Sequence, residues 1–221
     1  MSSGRSLRPI TITQINVDIS VSLDGFVAGP NQTLEEPLGK DGLLLHEWVF
    51  GLAAWREQHG LEGGEASADN ELVASNLAAT GAVVMGRRMW SGGTGPWEDD
   101  PNADGWWGDE LPFDVPVFVV THHPRASETK GDTPITFVTE GVVAAVEQAV
   151  AVAAGKNVHV AGGAQVVQQA LRAGLVDELH LHVAPVFLGD GVRLFDGVDG
   201  RLRVVAVVNS PTVTHLTYRP I

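Results

Sequence analysis

Three glycine-containing junctions and one run of alternating polar side chains hold most of the chemistry this sequence can offer. Gly162-Gly163 falls between an apolar run, Val158-His159-Val160, and a helical pattern that begins at Ala164-Gln165. Free backbone N–H groups at a helix start favour a phosphate, and the missing side chains let it come close. The pair would serve equally as a tight strand-to-helix turn, and its spacing is not the G-x-G-x-x-G of a dinucleotide fingerprint. Gly86-Arg87-Arg88 follows a second apolar run, Ala82-Val83-Val84-Met85. A guanidinium grips phosphate through two parallel hydrogen bonds, so Arg87 or Arg88 is placed to hold a ribose 2′-phosphate, which would select NADPH over NADH. A surface arginine pair is the alternative. Thr121-His122-His123-Pro124-Arg125 offers hydrogen-bonding and cationic groups to an adenosine phosphate. Neighbouring histidines on an extended chain point apart, which argues against a metal there.

Ser20 and Ser22 share one face of the first strand, with Asp24-Gly25 and Ala28-Gly29 in the loop after it. That face would admit a flat ring or stand half solvated. His180 and His182 also share a strand face, either as a hydrogen-bonded pair or with His182 touching a substrate. Trp97, Trp106 and Trp107 lie in a long loop, to stack on an aromatic substrate or to staple the loop down.

The elements that position these residues follow from periodicity. Ile15, Val17, Ile19, Val21 and Leu23 alternate with Asn16, Asp18, Ser20 and Ser22, a strand that ends at Asp24-Gly25. Leu45, Trp48, Val49 and Leu52 predict an amphipathic helix over 43–59, and Asp69 is placed to cap another over roughly 70–80. Residues 91–114, rich in Gly, Pro, Asp and Trp, form an irregular segment long enough to be functional or disordered. Strands at 115–120, 135–138, 158–160 and 179–183 alternate with helices marked by Val142, Val146 and Val150 and by Val166, Val167 and Ala170. Runs 201–208 and 212–219 leave no room for a crossover helix around Asn209-Ser210-Pro211, so they predict an antiparallel hairpin. The outcome is an α/β fold, mainly parallel with an antiparallel C-terminal edge, and ligands belong at the carboxyl ends of its strands.

Composition narrows the field. With 14 Lys and Arg against 27 Asp and Glu, the net charge of −13 repels a nucleic-acid backbone. There is no cysteine, so any redox chemistry here needs a bound cofactor, and the usage suits the cytoplasm. No apolar run approaches the roughly 20 residues of a membrane span. A disordered stretch over 1–9 and one domain over 10–221 are expected.

The ordered set Ser22-Leu23-Asp24-Gly25-Phe26-Val27-Ala28-Gly29, Val83-Val84-Met85-Gly86-Arg87, Val119-Val120-Thr121, Val160-Ala161-Gly162-Gly163, and Asp177-Glu178-Leu179 through Ala184-Pro185-Val186-Phe187-Leu188-Gly189-Asp190-Gly191 resembles the dihydrofolate-reductase-like family. Its closest branch looks like the C-terminal reductase domain of the bifunctional riboflavin-biosynthesis deaminase-reductase, here as a stand-alone member. The resemblance implies a three-layer α/β/α fold, NADPH as hydride donor, a small-molecule substrate and a homodimer. It places Ser20, Ala28 and Gly29 at the nicotinamide, and Gly86, Arg87 and Arg88 at the 2′-phosphate. Thr121 and His122 go to the adenosine, and Gly162, Gly163, Ala164 and Gln165 to the pyrophosphate. The expected activity is hydride transfer to a C=N or C=O carbon of a small heterocycle or ribosylamino-pyrimidine. Asp24, Glu47 and His182 are the candidates for proton supply or substrate polarisation. Two rival expectations are a pterin reductase, in which Glu47 approximates the carboxylate on the first helix, and a non-catalytic NADPH-binding protein without a substrate cavity.

Overall fold

A computed structural model describes residues 13–108 and 111–221; the stretch 1–9 lies outside the described residues. The chain opens with β1 (Ile15–Ser22) and a short β2 (Phe26–Ala28). A 3₁₀ turn (Gly42–His46) leads into α1 (Glu47–Phe50), α2 (Ala53–Gln58) and α3 (Ala68–Ala79). Then come β3 (Thr80–Gly86), α4 (Arg87–Ser91), β4 (Val117–Val120), β5 (Glu128–Lys130) and β6 (Thr133–Val138). The chain continues through α5 (Val142–Val152), β7 (Asn157–Gly162), α6 (Ala164–Arg172) and β8 (Glu178–Ala184). It closes with β9 (Val192–Arg193), β10 (Leu202–Asn209) and β11 (Thr214–Pro220).

Among the described residues nine strands form one sheet in the order β10-β11-β8-β1-β7-β3-β4-β6-β5. The six from β8 to β6 are parallel; β10, β11 and β5 run antiparallel at the edges. The expected C-terminal hairpin is present, while β5 and the two-stranded pairing of β2 with β9 are too short to leave a period in the sequence.

The two faces differ in chemistry. On one, Val17 and Val21 of β1, Ala82 and Val84 of β3, Val158 and Val160 of β7 and Leu179 and Leu181 of β8 meet the apolar sides of α5 and α6. The other face is divided. Over β3, β4 and β6 it is apolar, with Val83, Met85, Val117, Val119, Ile135 and Phe137 packed under Trp90, Trp97 and Trp107. Over β1, β7 and β8 it carries Asn16, Asp18, Ser20, His159, His180 and His182, with α1 to α3 standing across from it.

The predicted helix over 43–59 is broken. Leu52 is extended (φ −76°, ψ 139°), and the carbonyl of Gly51 accepts from the Glu65 amide at 2.8 Å. Glycine weakens a helix interior by about 1 kcal/mol relative to alanine. Here the chain uses that weak point to bury Leu45, Val49 and Leu52 along a bent path. The helix predicted over 70–80 begins earlier, capped by Ser67, whose Oγ accepts from the Asn70 amide at 3.3 Å. Asp69 is therefore released from capping and lies buried in the first turn. Among the described residues no helix is long and apolar enough to cross a membrane.

Leu179 has no exposed surface, whereas Val207 on edge strand β10 is 59% exposed. Leu179→Ala is expected to lower the unfolding free energy by about 2–5 kcal/mol. Val207→Ala should stay within about 0.5 kcal/mol. Urea unfolding checks the pair, and equal midpoints would contradict this division of the sheet.

Candidate active site

The polar half of the sheet is the floor of a cavity of about 750 Å³. Asn16, Asp18 and Ser20 of β1, His159 and Ala161 of β7 and His180 and His182 of β8 line it from below. His46, Trp48, residues of α2 and α3, Met89 and the loop around Trp107 and Phe113 line its walls. A parallel strand is ordinarily apolar on both faces because helices cover both. The exchange of apolar for titratable side chains on three adjacent strands marks a place built for a polar ligand.

Asp18 is the hub. Its Oδ1 accepts from His182 Nε2 at 2.7 Å, and its Oδ2 accepts from Asn76 Nδ2 at 2.5 Å with His180 Nδ1 3.5 Å away. Burial alone would push this carboxyl up, but the facing imidazoles of His182, His180 and His159 hold it well below the usual range. His180 moves the other way: burial lowers it, yet hydrogen bonds to Asp18 and Glu178 raise it overall. Behind His182, its Nδ1 lies 2.7 Å from Nδ1 of His215 on β11, and His215 Nε2 lies 3.1 Å from Asp69 Oδ1. Burial pushes His215 down, and so does the neighbouring His182. The Trp48 ring covers both imidazoles at centroid distances of 4.8 and 5.1 Å, and its Nε1 donates to Ser20 Oγ at 3.0 Å. Two buried atoms on this lining, Asn16 Oδ1 and His46 Nδ1, have no hydrogen-bond partner among the described residues. Burial also pushes the His46 imidazole down, opposed by the Gly42 backbone.

At the carboxyl ends of the strands, Gly86 of β3 and Gly162-Gly163 after β7 come together. A Cβ on Gly86 would meet Val166 Cγ2 at 2.9 Å, with the Gly163 nitrogen 3.6 Å away. A Cβ on Gly163, which precedes α6, would meet open space. The free amides of the α6 start therefore face a bare surface that accepts a phosphate without a clash. Ala164 and Gln165 border a second recess of about 450 Å³ with Gly189 to Arg193. Met89 joins the two regions: it lines the cavity, and its sulfur lies 3.6 Å from a Cβ built on Gly162.

A family model described as the RibD C-terminal domain matches residues 13–216. The chain belongs to the RibD C-terminal domain family. Its fold matches solved structures of that kind. One is a putative riboflavin biosynthesis protein from Shewanella sp. PV-4, 20% identical, covering 95% of this chain and 99% of that one at a TM-score of 0.59. Another is a pyrimidine reductase-like protein from Corynebacterium diphtheriae, 16% identical, covering 95% and 92% at 0.52. Acinetobacter baumannii RibD is 17% identical and covers 96% of this chain but 59% of its own, at 0.57. Among curated proteins, the uncharacterized YwjB of Bacillus subtilis is 33% identical over 82 residues. That match spans 37% of this chain and 45% of YwjB.

Within this RibD-type, dihydrofolate-reductase-like fold, the residues singled out by sequence divide into groups. Gly86, Gly162, Gly163, Ala164, Gln165, Arg88 and His122 gather at the carboxyl edge of the sheet, with Arg88 and His122 exposed. Ser20 and His182 line the cavity. Others are committed elsewhere. Arg87 is buried, its Nη2 2.5 Å from Asp100 Oδ2, its Nε donating to Ser91 Oγ at 2.8 Å and its guanidinium 3.2 Å above the Trp97 ring. It anchors the 91–114 segment and has no free fork for a phosphate. Thr121 is buried in its own turn, its Oγ1 accepting from the His123 amide at 3.1 Å. Gly29 serves chain packing, since a Cβ there would meet the Lys40 carbonyl oxygen at 1.9 Å, and Ala28 is buried in β2 beside it.

Two of the three proton-donor candidates are displaced. Asp24 accepts from Ser22 Oγ at 2.6 Å and from the amides of Gly189 and Leu188, and these bonds, Ser22 first, hold its carboxyl below the ordinary value. It fastens the loop after β1 and has no proton to give near neutrality. Glu47 is exposed and does not line the cavity. The buried carboxylate on a helix over this sheet face is Asp69. Of the three loop tryptophans, Trp107 reaches the cavity, Trp97 lies under Arg87, and Trp106 packs beside Gly92. Sequence reasoning missed Asp18, Asp69 and His215 as parts of one assembly. The signal for Asp18 was its place beside Ser20 on a central strand; the pairing of His215 with His182 across β11 and β8 left none.

Arg87→Ala leaves Asp100 buried beside Ser91 without its cation, at a cost of about 3–5 kcal/mol. Arg88→Ala should leave the melting temperature nearly unchanged. Calorimetric melting separates them, and equal melting temperatures would refute the anchoring role. Asp18 and Asp100 have folded values below their unfolded ones, so the stability they confer is present above about pH 4 and fades as pH falls further. Asp100→Asn should flatten part of that acid loss in urea titrations run at successive pH values.

Proposed function

We propose that this chain is an NADPH-dependent reductase that transfers hydride to a C=N or C=O carbon of a small heterocyclic or ribosylamino-pyrimidine substrate. The observation that carries this reading is a cavity floored by Asn16, Asp18, Ser20 and His182 with Met89 in its wall, the same Met89 that stands beside Gly162 at the glycine-lined carboxyl edge. The residues present suit a nicotinamide dinucleotide: bare backbone at Gly163 for the pyrophosphate, and Arg88 with His122 on the exposed rim for the adenosine end. Such a cofactor supplies the hydride when bound. The unpartnered Asn16 Oδ1 is available to a polar substrate, and leaving it without a partner would cost about 1–3 kcal/mol. Trp48 and Trp107 flank the cavity with flat apolar surface for a planar ring. His182, bonded to Asp18, stands ready to hold or pass a proton.

The two rival readings lose support. A pterin reductase needs a free carboxylate facing the ring, but Glu47 is exposed, and Asp18 and Asp69 are spent on imidazoles. A non-catalytic binder has no use for a cavity of about 750 Å³ beside the cofactor edge.

Calorimetric titration with NADPH and NADH in low-phosphate buffer tests the proposal. NADPH should bind more tightly, and Arg88→Ala should weaken it at least about tenfold while leaving NADH nearly unaffected. No binding of either dinucleotide to folded protein would overturn the reading.

A further inference from the structure

The chain Asp18–His182–His215–Asp69 runs from the cavity floor to the first turn of α3 through three heavy-atom contacts of 2.7, 2.7 and 3.1 Å. Each contact, to be a hydrogen bond, needs one proton. Two neutral imidazoles bring one N–H each, and two ionised carboxylates bring none. The ordinary set of protonation states near neutrality thus supplies two protons for three bonds. With each Nε2–H directed at its carboxylate, the two Nδ1 atoms would face each other lone pair to lone pair at 2.7 Å. With either ring turned to the other tautomer, one carboxylate would face a bare ring nitrogen. The shortfall is independent of where the protons sit.

We propose that this chain stores one proton beyond the ordinary count, shared across the His182–His215 contact, and that this is the proton delivered when a substrate in the cavity is reduced. The second part rests on the reductase reading; the first does not. The surroundings are suited to a single positive charge. Asp18 from β1 and Asp69 from α3 cap the two ends. The other groups around the pair are His180 beside it on β8, His159 on β7, His46 in the 3₁₀ turn and the Trp48 ring above both imidazoles. Burial pushes His159, His46 and also His215 down, while hydrogen bonds to Asp18 and Glu178 push His180 up, so a charge on the pair is held there by the three contacts against these pulls. Asp18 is held well below the usual carboxylate range, so the extra proton lies on the imidazole pair or on Asp69, and the count of ring protons separates the two. In the reaction, hydride from the dinucleotide forms a C–H bond at the C=N or C=O carbon, and its π pair moves to the heteroatom. The heteroatom takes the proton from the Asp18–His182 end. The dinucleotide is oxidised, the carbon is reduced, and the pair is left with two neutral rings until solvent restores the proton.

Asp69→Asn offers a sharp test because an amide both fits and changes the count. Its NH₂ donates to His215 Nε2, His215 Nδ1–H then donates to His182 Nδ1, and His182 Nε2–H still faces Asp18. All three bonds are made with two imidazole protons, and no extra charge is needed. Proton–nitrogen NMR on protein labelled at histidine, with His215→Phe used to assign the pair, counts those protons without cofactor or substrate. At neutral pH the unmodified protein should show one doubly protonated ring in this pair, and Asp69→Asn two neutral rings with the fold intact. His182→Gln is the second variant, in which His215 should remain neutral. Two neutral rings in the unmodified protein, titrating near the ordinary value of about 6.5, would overturn the proposal. Because the count uses no dinucleotide, its failure would leave the reductase reading to stand or fall on the NADPH titration. If the count holds but single-turnover NADPH oxidation keeps the same pH profile in Asp69→Asn, the stored proton is not the one delivered.

Discussion

The structure turns on the difficulty of keeping a carboxylate in the middle of a parallel sheet. An ion moved out of water carries a penalty of several kcal/mol after relaxation, and it persists only where hydrogen bonds and opposite charge replace the solvent. Asp18 meets that demand with His182, Asn76 and His180, and it keeps 22% of its side-chain surface where it lines the cavity. Much of the surrounding chain answers the same demand. Asn76 brings α3 across the sheet, His182 makes β11 supply His215, and His215 draws in Asp69 from the helix start. Glu178 steadies His180 from behind and is itself held by Arg219 of β11.

That arrangement also gives a use to the two long connections, between β2 and α3 and between α4 and β4. Residues between β2 and α3 provide the 3₁₀ turn, α1 and α2 that wall the cavity, and the segment after α4 provides Trp107 and Phe113 at its far side. The second segment keeps its shape through Arg87, whose guanidinium joins Ser91, Asp100 and Trp97 in one buried cluster. A sheet and two covering helices would have left the polar half open to water. These connections wall it on several sides, and partial exclusion of water strengthens the electrostatic contacts inside.

Sequence reading reached the architecture because its signals are local. Alternation marked β1, short apolar runs marked β3, β4 and β7, and the absence of room for a helix marked the β10–β11 hairpin. Glycines that must approach a ligand or another backbone were also visible at Gly86 and Gly162-Gly163. The site itself was only half legible. Ser20 and His182 stood out as polar residues on strands, but their partners are remote in sequence, and no spacing rule joins Asp18 to His182 or Asp69 to His215. Arg87 misled for the same reason: a guanidinium after a Gly at a strand end looks ready for phosphate until Asp100, thirteen residues on, is seen to hold it. Glu47 drew attention by its place in a predicted helix, but it lies off that helix's apolar stripe and is exposed.

The opposite characters of the two faces of β1 bear on how the chain finds its pairing. Side chains alternate along a strand, so sliding β1 by one residue against β7 and β8 would exchange its faces. Val17 and Val21 would then point into the polar cavity, and Asp18 and Ser20 would be driven among the valines under α5 and α6. A strand apolar on both sides would tolerate such a slip at little cost, and a central parallel strand is often of that kind. Here the residues that equip the cavity also forbid the misaligned sheet, so the chemistry of the site acts as the proofreading device of the fold.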